Sequence, residues 1–535
     1  MQNSLLDKVV KNLRRLLRIV FSRTAVIAAS LLIQIWILFA TVKWLSDYTM
    51  AVYVAFVLLG ALTVVHILNE ENNASFKLVW MIPVLVIPVF GTLMYLYVNV
   101  QVRTKLLRKR LNNVEKELKP FVIQNNKTLE KLIEESDGEG GLANYLYNAE
   151  DYLVYSDCYV KHYPLGEDKF ADMLRELKAA RKFIFLEYFI VTDGYMWNTI
   201  LEVLKEKAAS GVEVRMMYDG MCSLMLLPYG YYKELEKMGI HSIPFSQIRP
   251  VLSTYQNNRD HRKILVIDGK VAFTGGINLA DEYINRIVRF GHWKDTAVMI
   301  KGEAVRSFTL MFLKMWNVAN GKDIISKEEL EKYVSGCETG EPDIKENDYK
   351  LHYGGYVIPY GDDPYGTERI GKQVYIDILN RAKNYVHIMT PYLILDDEMI
   401  SALRYCAKRG VETVIIMPHI PDKPYAYLLA RTYYKQLLKY GVKIYEYTPG
   451  FVHAKEFISD DIRASVGTIN LDFRSLYLHF ECAAYIYHND VVKDIENDFE
   501  DTLKKCMQIT VRDCEQYPGW KLFIGKLLRI FAPLM

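Results

Sequence analysis

Two short strings in the sequence carry a histidine, a lysine and an aspartate at identical spacing, H-x-K-x-x-x-x-D. The residues are His261, Lys263 and Asp268 in the first string, and His453, Lys455 and Asp460 in the second. Because side chains alternate along a β-strand, a histidine and a lysine two positions apart point to the same face. Each string therefore predicts an imidazole beside an ammonium group. The aspartate, at an odd distance from the lysine, is expected to point to the opposite face and brace the turn after the strand.

Each string is followed by a turn of small residues that ends in an asparagine. The turns are Gly275-Gly276-Ile277-Asn278 and Gly467-Thr468-Ile469-Asn470, and both begin at the same distance from their histidine. Two such half-sites supply what phosphodiester exchange requires, since one imidazole can attack phosphorus while the other protonates the leaving oxygen. The lysines and the amides of Asn278 and Asn470 are expected to bind the phosphate oxygens. No group of cysteines, histidines and carboxylates stands at metal-ligand spacing in the sequence, so we expect neither a metal nor another cofactor.

The two strings belong to a longer internal repeat. An alanine precedes an apolar run at 183–186 and again at 385–388, and a Gly-Val-Glu stretch follows at 211–213 and at 410–412. Short β-rich runs that alternate with helical patterns are typical of an α/β layer with a buried sheet. We therefore predict an α/β protein with two pseudo-symmetric α/β/α repeats. They are placed at 146–325 and 351–515, with the two half-sites meeting where the repeats face each other.

The N-terminal part is apolar in a different way. The segments 24–42, 49–68 and 78–98 are each long enough to cross a hydrocarbon core of about 30 Å, and only His66 interrupts them with a group that titrates near neutral pH. We predict a hydrophobic membrane region over 24–110.

The charges around this region suggest its orientation. Residues 1–23 are basic and have apolar residues at helical spacing, which is typical of an amphipathic helix on an anionic bilayer or of a flank that orients the next segment. A second basic stretch after 78–98 places the catalytic region on the cytoplasmic side. Because basic groups at both ends require an even number of crossings, we favour 49–68 and 78–98 as crossings, with 24–42 shallow or re-entrant.

The remaining segments are interpreted as connections and a tail. Residues 111–145, with the glycine-rich stretch 135–141, are predicted as a linker between the membrane and catalytic regions, and 326–350 as a linker between the repeats. The basic amphipathic tail 516–535 is interpreted as a second interfacial anchor, with a last core helix as the alternative.

Composition excludes some classes of function. The net charge is +2 over 535 residues, and no basic run dominates residues 142–535, so nucleic-acid binding is not expected. The seven cysteines include no C-x-x-C pair, which fits reduced thiols in a cytosolic domain.

From about residue 49 to the C-terminus, the sequence resembles the bacterial cardiolipin synthases of the phospholipase D superfamily, whose signature is the duplicated HKD motif. The stretches that carry the resemblance are 257–269, 275–283, 452–455 and 470–475. Two positions differ from the usual pattern, Thr468 where serine is usual and His479 where asparagine is common.

The resemblance implies roles that the repeat alone leaves open. A nucleophilic imidazole is usually oriented by a carboxylate, and by resemblance Asp295 would orient His261 and Glu481 would orient His453. His261 would be the nucleophile and His453 the general acid and then base. His292 and His479 lie near the two carboxylates in the sequence.

The activity implied is that of a multi-pass enzyme of a bacterial cell membrane. It would make cardiolipin and glycerol from two molecules of phosphatidylglycerol, with anionic membrane lipids as its partners, and the sequence indicates no oligomeric state. Two alternatives remain: a phospholipase D or phosphatidyltransferase that uses water, another alcohol or phosphatidylethanolamine, and a catalytically inactive membrane scaffold.

Overall fold

The computed structural model describes residues 50–99, 102–136, 138–246, 257–320, 324–335 and 353–534, with a few single positions between 32 and 43. They form two compact units, a smaller one that includes 50–99 and a larger one that includes the described residues of 107–246 and 258–534. The helices before the first repeat are α1 (Met50–Asn69), α2 (Ala74–Val86), α3 (Pro88–Asn99), α4 (Val102–Leu118), α5 (Asn126–Glu135) and α6 (Glu139–Glu150).

The smaller unit differs from the predicted pattern of apolar segments. Segments 1–23 and 24–42 lie outside the described residues, apart from the single positions, and 49–68 corresponds to α1. The apolar segment 78–98, predicted as one crossing, corresponds to parts of two helices, because the helix is interrupted at Ile87 between α2 and α3. Proline at 88 lacks an N–H group and disfavours helical geometry at the residue before it. In the part of the chain that the structure describes, no helix combines the length and apolarity needed to span a bilayer.

The first repeat is built on a mixed sheet. Its elements are β1 (Tyr155–Ser156), β2 (Tyr159–Tyr163), α7 (Gly166–Ala179), β3 (Phe183–Tyr188), α8 (Tyr195–Ala209), β4 (Glu213–Asp219), α9 (Gly220–Met225), α10 (Tyr231–Lys237), β5 (Ile240–Phe245), β6 (Lys263–Ile267), β7 (Val271–Gly275), β8 (His292–Lys294), β9 (Ala297–Lys301), α11 (Val305–Ala319) and α12 (Lys327–Ser335). The strand order is β2-β9-β7-β6-β3-β4-β5, in which β3, β4 and β5 are parallel.

The second repeat has the same plan. Its elements are β10 (Tyr356–Asp362), α13 (Ile370–Arg381), β11 (Tyr385–Met389), α14 (Asp397–Lys408), β12 (Glu412–Pro418), α15 (Pro424–Tyr440), β13 (Lys443–Tyr447), β14 (Gly450–Val452), β15 (Glu456–Ser459), β16 (Arg463–Gly467), β17 (Glu481–Tyr487), α16 (Val491–Leu503), β18 (Cys506–Ile509), α17 (Val511–Gln516) and α18 (Gly519–Ile530). The strand order is β1-β10-β17-β16-β15-β11-β12-β13-β18. Without β1 and β18 at its edges, this order matches that of the first sheet strand for strand, so the chain is an α/β protein with two corresponding mixed sheets.

The Gly-Val-Glu stretches noticed in the sequence have the same role in both repeats. Gly211 and Gly410 have φ angles of +90° and +92° and lie between a helix and the second parallel strand. This left-handed conformation is easily reached only without a Cβ. The glycine therefore ends the helix, and the valine that follows begins the return toward the sheet.

The two repeats share one apolar core. Ile264 and Val266 of β6 belong to the same buried cluster as Ile458 of β15 and Ala464 of β16. Two backbone connections also join the repeats: β8 pairs in parallel with β14, and Asp260 forms a bridge with Phe480. These connections lie directly beside the two HKD histidines, so the interface between the repeats is also where the half-sites come together.

The predicted linkers are wrong for the residues that the structure describes. Within 111–145 the chain forms helices, and Leu111, Val114 and Leu118 are buried in the shared core. Glu139, inside the stretch predicted to be a tether, is buried and pairs with Arg463 of β16 at 2.5 Å. The prediction of flexibility relied on glycine content alone. In the structure, the glycines of this stretch instead permit the close approach of α6 to its neighbours.

The second predicted linker and one domain boundary also need correction. In α12, within 326–350, Leu330, Tyr333 and Val334 are buried, whereas 336–350 lies outside the described residues. Strand β1, assigned by sequence to the first repeat, pairs with β10 in the sheet of the second repeat.

Candidate active site

Each HKD histidine is held by a backbone hydrogen bond from the opposite repeat. His261 lies just before β6, and its N–H donates to the carbonyl of Phe480 at 2.9 Å. His453 lies just after β14, and its N–H donates to the carbonyl of Lys294 at 2.6 Å. Both side chains are largely buried. The backbone pairing between the repeats therefore sets the position of both imidazoles.

The carboxylates are exchanged between the repeats, so that each histidine contacts a carboxylate from the opposite repeat. Nδ1 of His261 lies 2.9 Å from both carboxylate oxygens of Glu481, and Nδ1 of His453 lies 2.6 Å from Oδ2 of Asp295. The predicted pairing of Asp295 with His261 and of Glu481 with His453 is wrong. Chain spacing suggested partners within one repeat, but the Asp260–Phe480 bridge brings Glu481 to His261. Similarly, the β8–β14 pair brings Asp295 to His453.

This arrangement fixes which ring nitrogen is available for chemistry. A carboxylate beside Nδ1 favours the tautomer in which Nδ1–H donates to it, so Nε2 carries the lone pair. Each motif lysine lies at its histidine, and Lys263 Nζ donates to the carbonyl of His261 at 2.5 Å. Lys455 Nζ donates to the carbonyl of His453 and also lies 2.8 Å from its Nδ1.

The two motif aspartates are used in backbone capping. The Asp268 carboxylate accepts hydrogen bonds from the N–H groups of Arg181, Lys182 and Phe183, at 2.6–2.9 Å, where β3 begins. Asp460 does the same for residues 383–385, where β11 begins, at 2.8–3.0 Å. Both aspartates have positive φ angles. They join the turn after the motif strand to the first parallel strand and do not contact the histidines.

We therefore expect Asp268→Asn to reduce stability more than chemistry. The amide replaces one accepting oxygen with an NH₂ group, so at least one of these exposed or partly buried backbone N–H groups loses its hydrogen bond to a charged oxygen, at a cost of about 1–3 kcal/mol. Thermal unfolding of the purified protein should show a lower midpoint, while turnover per folded molecule stays within about twofold. Asp460→Asn is the matched variant in the second repeat. A loss of turnover without a loss of stability would contradict this structural role.

The two asparagines are held in place by neighbouring groups. Oδ1 of Asn278 accepts from the N–H of Ile190 at 2.9 Å, and its Nδ2 donates to the Tyr283 hydroxyl at 2.8 Å. Nδ2 of Asn470 donates to Ser475 at 3.1 Å. Oδ1 of Asn470 is buried and has no hydrogen-bond partner among the described residues. Their contact with a phosphate stays a prediction.

Burial and mutual repulsion lower the pKa values of the positive groups of the site. Burial lowers the pKa of His453 to about 4, and neighbouring Lys455 acts in the same direction. Burial also lowers the pKa of His261 well below its usual range. The lysines follow the same trend, with pKa values of about 8 for Lys263 and about 7 for Lys455, again mainly because they are buried. Both imidazoles are therefore neutral at pH 7 in the absence of a bound anion.

The carboxylates remain ionised. Burial alone would raise the pKa of Asp295 and of Glu481, but the attached imidazoles outweigh it and hold both pKa values below their usual range. An anion placed between the half-sites would therefore meet several groups that can each gain a proton.

The comparisons with known proteins agree with this geometry. Residues 173–316 and 375–503 match the family described as cardiolipin synthase, PLD-like domain, and residues 58–98 match the family described as phospholipase D-nuclease N-terminal. The chain belongs to the cardiolipin synthase family of the phospholipase D superfamily. The resemblance noted in the sequence is thereby confirmed, and the chain is a phosphatidyltransferase of that superfamily.

Several similar proteins cover most of the chain. An uncharacterized protein of Streptococcus mutans is 48% identical over 473 residues, which are 88% of this chain and 99% of that protein. Cardiolipin synthase 2 of Bacillus anthracis is 33% identical over 87% of this chain and 88% of its own length. A cardiolipin synthase of Geobacillus sp. is 37% identical over 69% of this chain and 71% of its own length.

Among solved structures, phosphatidylserine synthase of Haemophilus influenzae aligns with a TM-score of 0.53 at 14% identity. The alignment covers 74% of this chain and 97% of that one, and it shows a shared fold.

The two departures from the usual cardiolipin synthase pattern both lie at Glu481. The Thr468 hydroxyl donates to its Oε2, so threonine provides the hydroxyl of the usual serine. His479 is buried, with its Nδ1 3.6 Å from Oε1 and its ring 5.5 Å from that of His261. The expected pairing of Glu481 with His453 would have put His479 in the second half-site, whereas His479 lies next to the histidine of the first.

His479 also changes one expectation about metals. Ligand atoms of His261, His479 and Glu481 lie within 4.8 Å of one another, although spacing along the chain indicated no such group. The cluster forms because the Asp260–Phe480 bridge brings together residues that are distant in sequence.

Sequence reasoning missed Lys169 of α7. Its side chain is fully buried, and its Nζ donates to the carbonyl of Ile277 at 3.3 Å, next to Asn278. Burial lowers its pKa to about 7, and the Asp295 carboxylate opposes that effect. The signal that could have identified it is the repeat, because a lysine, Lys372, also occurs in the corresponding helix α13. The structure shows that Lys372 is buried as well. One lysine on an amphipathic helix does not otherwise stand out.

The low pKa values predict how anion binding depends on pH. A bound phosphodiester favours the charged forms of Lys455 and Lys263 and so raises their pKa values. Binding is then strongest where those groups are protonated and weakens as pH rises through their free-state values, about 7 and about 8.

Dimethyl phosphate is a suitable ligand because its own charge is constant in this range. We expect its affinity, measured by calorimetry in two buffers, to fall about tenfold or more between about pH 6 and pH 9, with proton uptake on binding. Lys455→Met should flatten this dependence. An affinity that does not change with pH would contradict the assignment.

Proposed function

We propose that this protein is a membrane-bound cardiolipin synthase that converts two molecules of phosphatidylglycerol into cardiolipin and glycerol. The observation that carries the proposal is the pair of exchanged contacts, His261 with Glu481 and His453 with Asp295. They give one site two imidazoles, each with Nδ1 held by an ionised carboxylate. That is the arrangement needed for a nucleophile and an acid–base partner on opposite sides of one phosphate.

In the first step, Nε2 of His261 attacks the phosphorus of one phosphatidylglycerol. The negative charge of the bound phosphodiester raises the pKa of His453, which takes up a proton and then donates it to the departing glycerol oxygen. The N–P bond forms as the P–O bond to glycerol breaks, which leaves a phosphatidyl-histidine intermediate. Lys263, Lys455, Asn278 and Asn470 bind the phosphate oxygens while charge shifts among them.

In the second step, the glycerol headgroup of another phosphatidylglycerol is the acceptor. His453 removes the proton from its hydroxyl, the oxygen attacks phosphorus, and the N–P bond to His261 breaks. His453 ends the cycle protonated and ready for the next lipid. One phosphodiester replaces another of similar energy, so the reaction needs no nucleotide.

The site must keep water from taking the place of the acceptor, because hydrolysis would give phosphatidic acid. Location at a bilayer would raise the local concentration of the acceptor lipid. The apolar helices α1 to α3 and the match of residues 58–98 support attachment to the bacterial cell membrane. The basic stretch after them supports a catalytic region on the cytoplasmic side.

The test is to incubate the detergent-purified protein with phosphatidylglycerol alone and to follow lipids and free glycerol together. Cardiolipin and glycerol in equal amounts are expected. Phosphatidic acid instead of cardiolipin would mean that water is the acceptor and that the protein is a phospholipase D.

Turnover only after addition of another alcohol or phosphatidylethanolamine would change the acceptor but keep the chemistry. No turnover with any of these lipids would favour the inactive scaffold. A His261→Asn protein, purified in the same way, controls for contaminating enzymes.

A further inference from the structure

The C-terminal helix α18 leaves most of its surface uncovered in the part of the chain that the structure describes. It packs on α15 through Gly525, where a Cβ atom would lie 2.5 Å from the carbonyl oxygen of Leu428. Gly525 is the one buried residue of the helix. The exposed large apolar side chains of this segment are Trp520, Phe523, Ile524, Leu527, Ile530 and Phe531. At helical spacing they form one continuous arc on the side away from α15.

A basic cavity of about 390 Å³ lies beside this arc, between α15, α17 and α18. Its cationic wall consists of Arg431, Lys435 and Lys439, which are one turn apart on α15, together with Lys526 of α18. Thr432 and Gln436 add hydrogen-bonding groups. None of these residues belongs to the HKD half-sites, so the cavity is a second potential site for an anion.

The charges of the cavity are only partly compensated. Arg431 pairs with Glu446 and Lys435 pairs with Glu515, each at 3.0 Å. For Lys439 and Lys526, no carboxylate lies within ion-pair distance among the described residues. Two ammonium groups are therefore available for an anionic ligand, and their neighbours on the same wall are held in place by fixed partners.

The position of Lys526 connects the cavity with the apolar arc. On an α-helix, residues three and four positions away are neighbours, so Lys526 lies beside Phe523 and Ile530. The cavity therefore opens along one edge of the exposed apolar surface. A phospholipid has the same arrangement, with a phosphate directly next to acyl chains. A soluble phosphate would gain nothing from the apolar arc, and an apolar protein partner would gain nothing from the two ammonium groups.

We propose that the cavity binds the phosphate of an anionic phospholipid while the apolar arc of α18 lies in the acyl-chain boundary of the same leaflet. Lysine and arginine side chains bind lipid phosphates by charge-assisted hydrogen bonds. Helices with an apolar arc and basic flanks lie in the plane of the bilayer surface. This site is separate from the reaction and does not depend on which acceptor the enzyme uses.

The test uses the full-length protein in nanodiscs and amide hydrogen exchange of residues 431–440 and 511–531. The discs contain phosphatidylcholine alone or with increasing fractions of phosphatidic acid. We expect the anionic lipid to slow exchange in these segments, with protection that increases as its fraction rises. Local exchange separates this site from any binding of the lipid at the HKD residues.

The decisive variant is Lys439→Gln combined with Lys526→Gln. It should raise the phosphatidic acid fraction needed for half-maximal protection by about fivefold or more. The control, Lys493→Gln with Lys504→Gln, removes the same charge from two exposed lysines, one in α16 and one directly after it, and should leave the protection unchanged. Equal melting temperatures for both variants would show that each is folded.

Three results would overturn the proposal. The first is protection of α18 that does not depend on anionic lipid, and the second is equal protection in the two double variants. The third is full protection by inorganic phosphate added to discs of phosphatidylcholine alone, which would make the cavity a site for soluble phosphate.

Discussion

Replacing His261 with asparagine is expected to abolish transfer, with a loss of about 10⁴-fold or more in turnover. In the proposed mechanism this side chain provides the nitrogen that bonds to phosphorus, and asparagine offers no comparable nucleophile. His453→Asn should reduce turnover by about 10²–10⁴-fold, because it removes the acid–base group but leaves the nucleophile in place. The two variants therefore differ in which step they block.

A lipid with a nitrophenol leaving group can separate the two steps. Nitrophenolate needs no proton to depart, so His453→Asn should still release one equivalent in a burst and accumulate phosphatidyl-enzyme. His261→Asn should give neither burst nor adduct. Intact-protein mass spectrometry after acid-free quenching measures the adduct. His241→Asn, a change at an exposed histidine, is the matched control and should keep full activity. A burst from His261→Asn but not from His453→Asn would reverse the assignment of nucleophile.

The exchanged carboxylates give the second large effect. Glu481→Gln should impair the step that depends on His261, and Asp295→Asn should impair the step that depends on His453. Each change should reduce turnover by about 10²–10⁴-fold. An amide at either position can present its NH₂ group to Nδ1 and favour the wrong tautomer. The same burst assay applies. Glu481→Gln should fail to form the phosphatidyl-enzyme adduct, whereas Asp295→Asn should form the adduct and transfer its phosphatidyl group to the acceptor slowly.

Glu412→Gln is a suitable control, since it removes a half-exposed carboxylate that pairs with Lys443 at the sheet surface. Its activity should stay within about twofold of the unchanged protein. If Asp295→Asn blocked adduct formation and Glu481→Gln did not, the contacts between the repeats would not govern the chemistry.

The fold was predictable because its main signals are local and occur twice. Apolar runs such as 183–186 and 385–388 became the first parallel strands, and Gly211 and Gly410 became the turns before the second. Each local signal was weak, but its recurrence in the same order indicated two related layers. The motif residues themselves were identified by the same repetition.

Contacts between the repeats were not predictable in this way. Sequence spacing suggested that Asp295 serves His261, whereas the β8–β14 pair delivers it to His453. The local sequence pattern does not indicate which strand of the first repeat pairs with which strand of the second. The same reason explains why His479 was assigned to the wrong half-site.

Two further errors came from treating composition as conformation. The glycines near 135–141 suggested a flexible tether, but Glu139 forms a buried ion pair there. The apolar stretch 78–98 suggested one helix, but Pro88 divides it at Ile87. In both cases a few residues with special backbone or charge properties overrode the average character of the segment.

The exchange of carboxylates also has a consequence during synthesis of the chain. The first repeat leaves the ribosome well before Glu481 is translated, so its completed sheet presents His261 without the partner that orients it. His453 meets Asp295 only when β14 pairs with β8. A nascent or truncated chain that ends before residue 481 would therefore contain a complete HKD string and yet be inert toward phospholipid substrates.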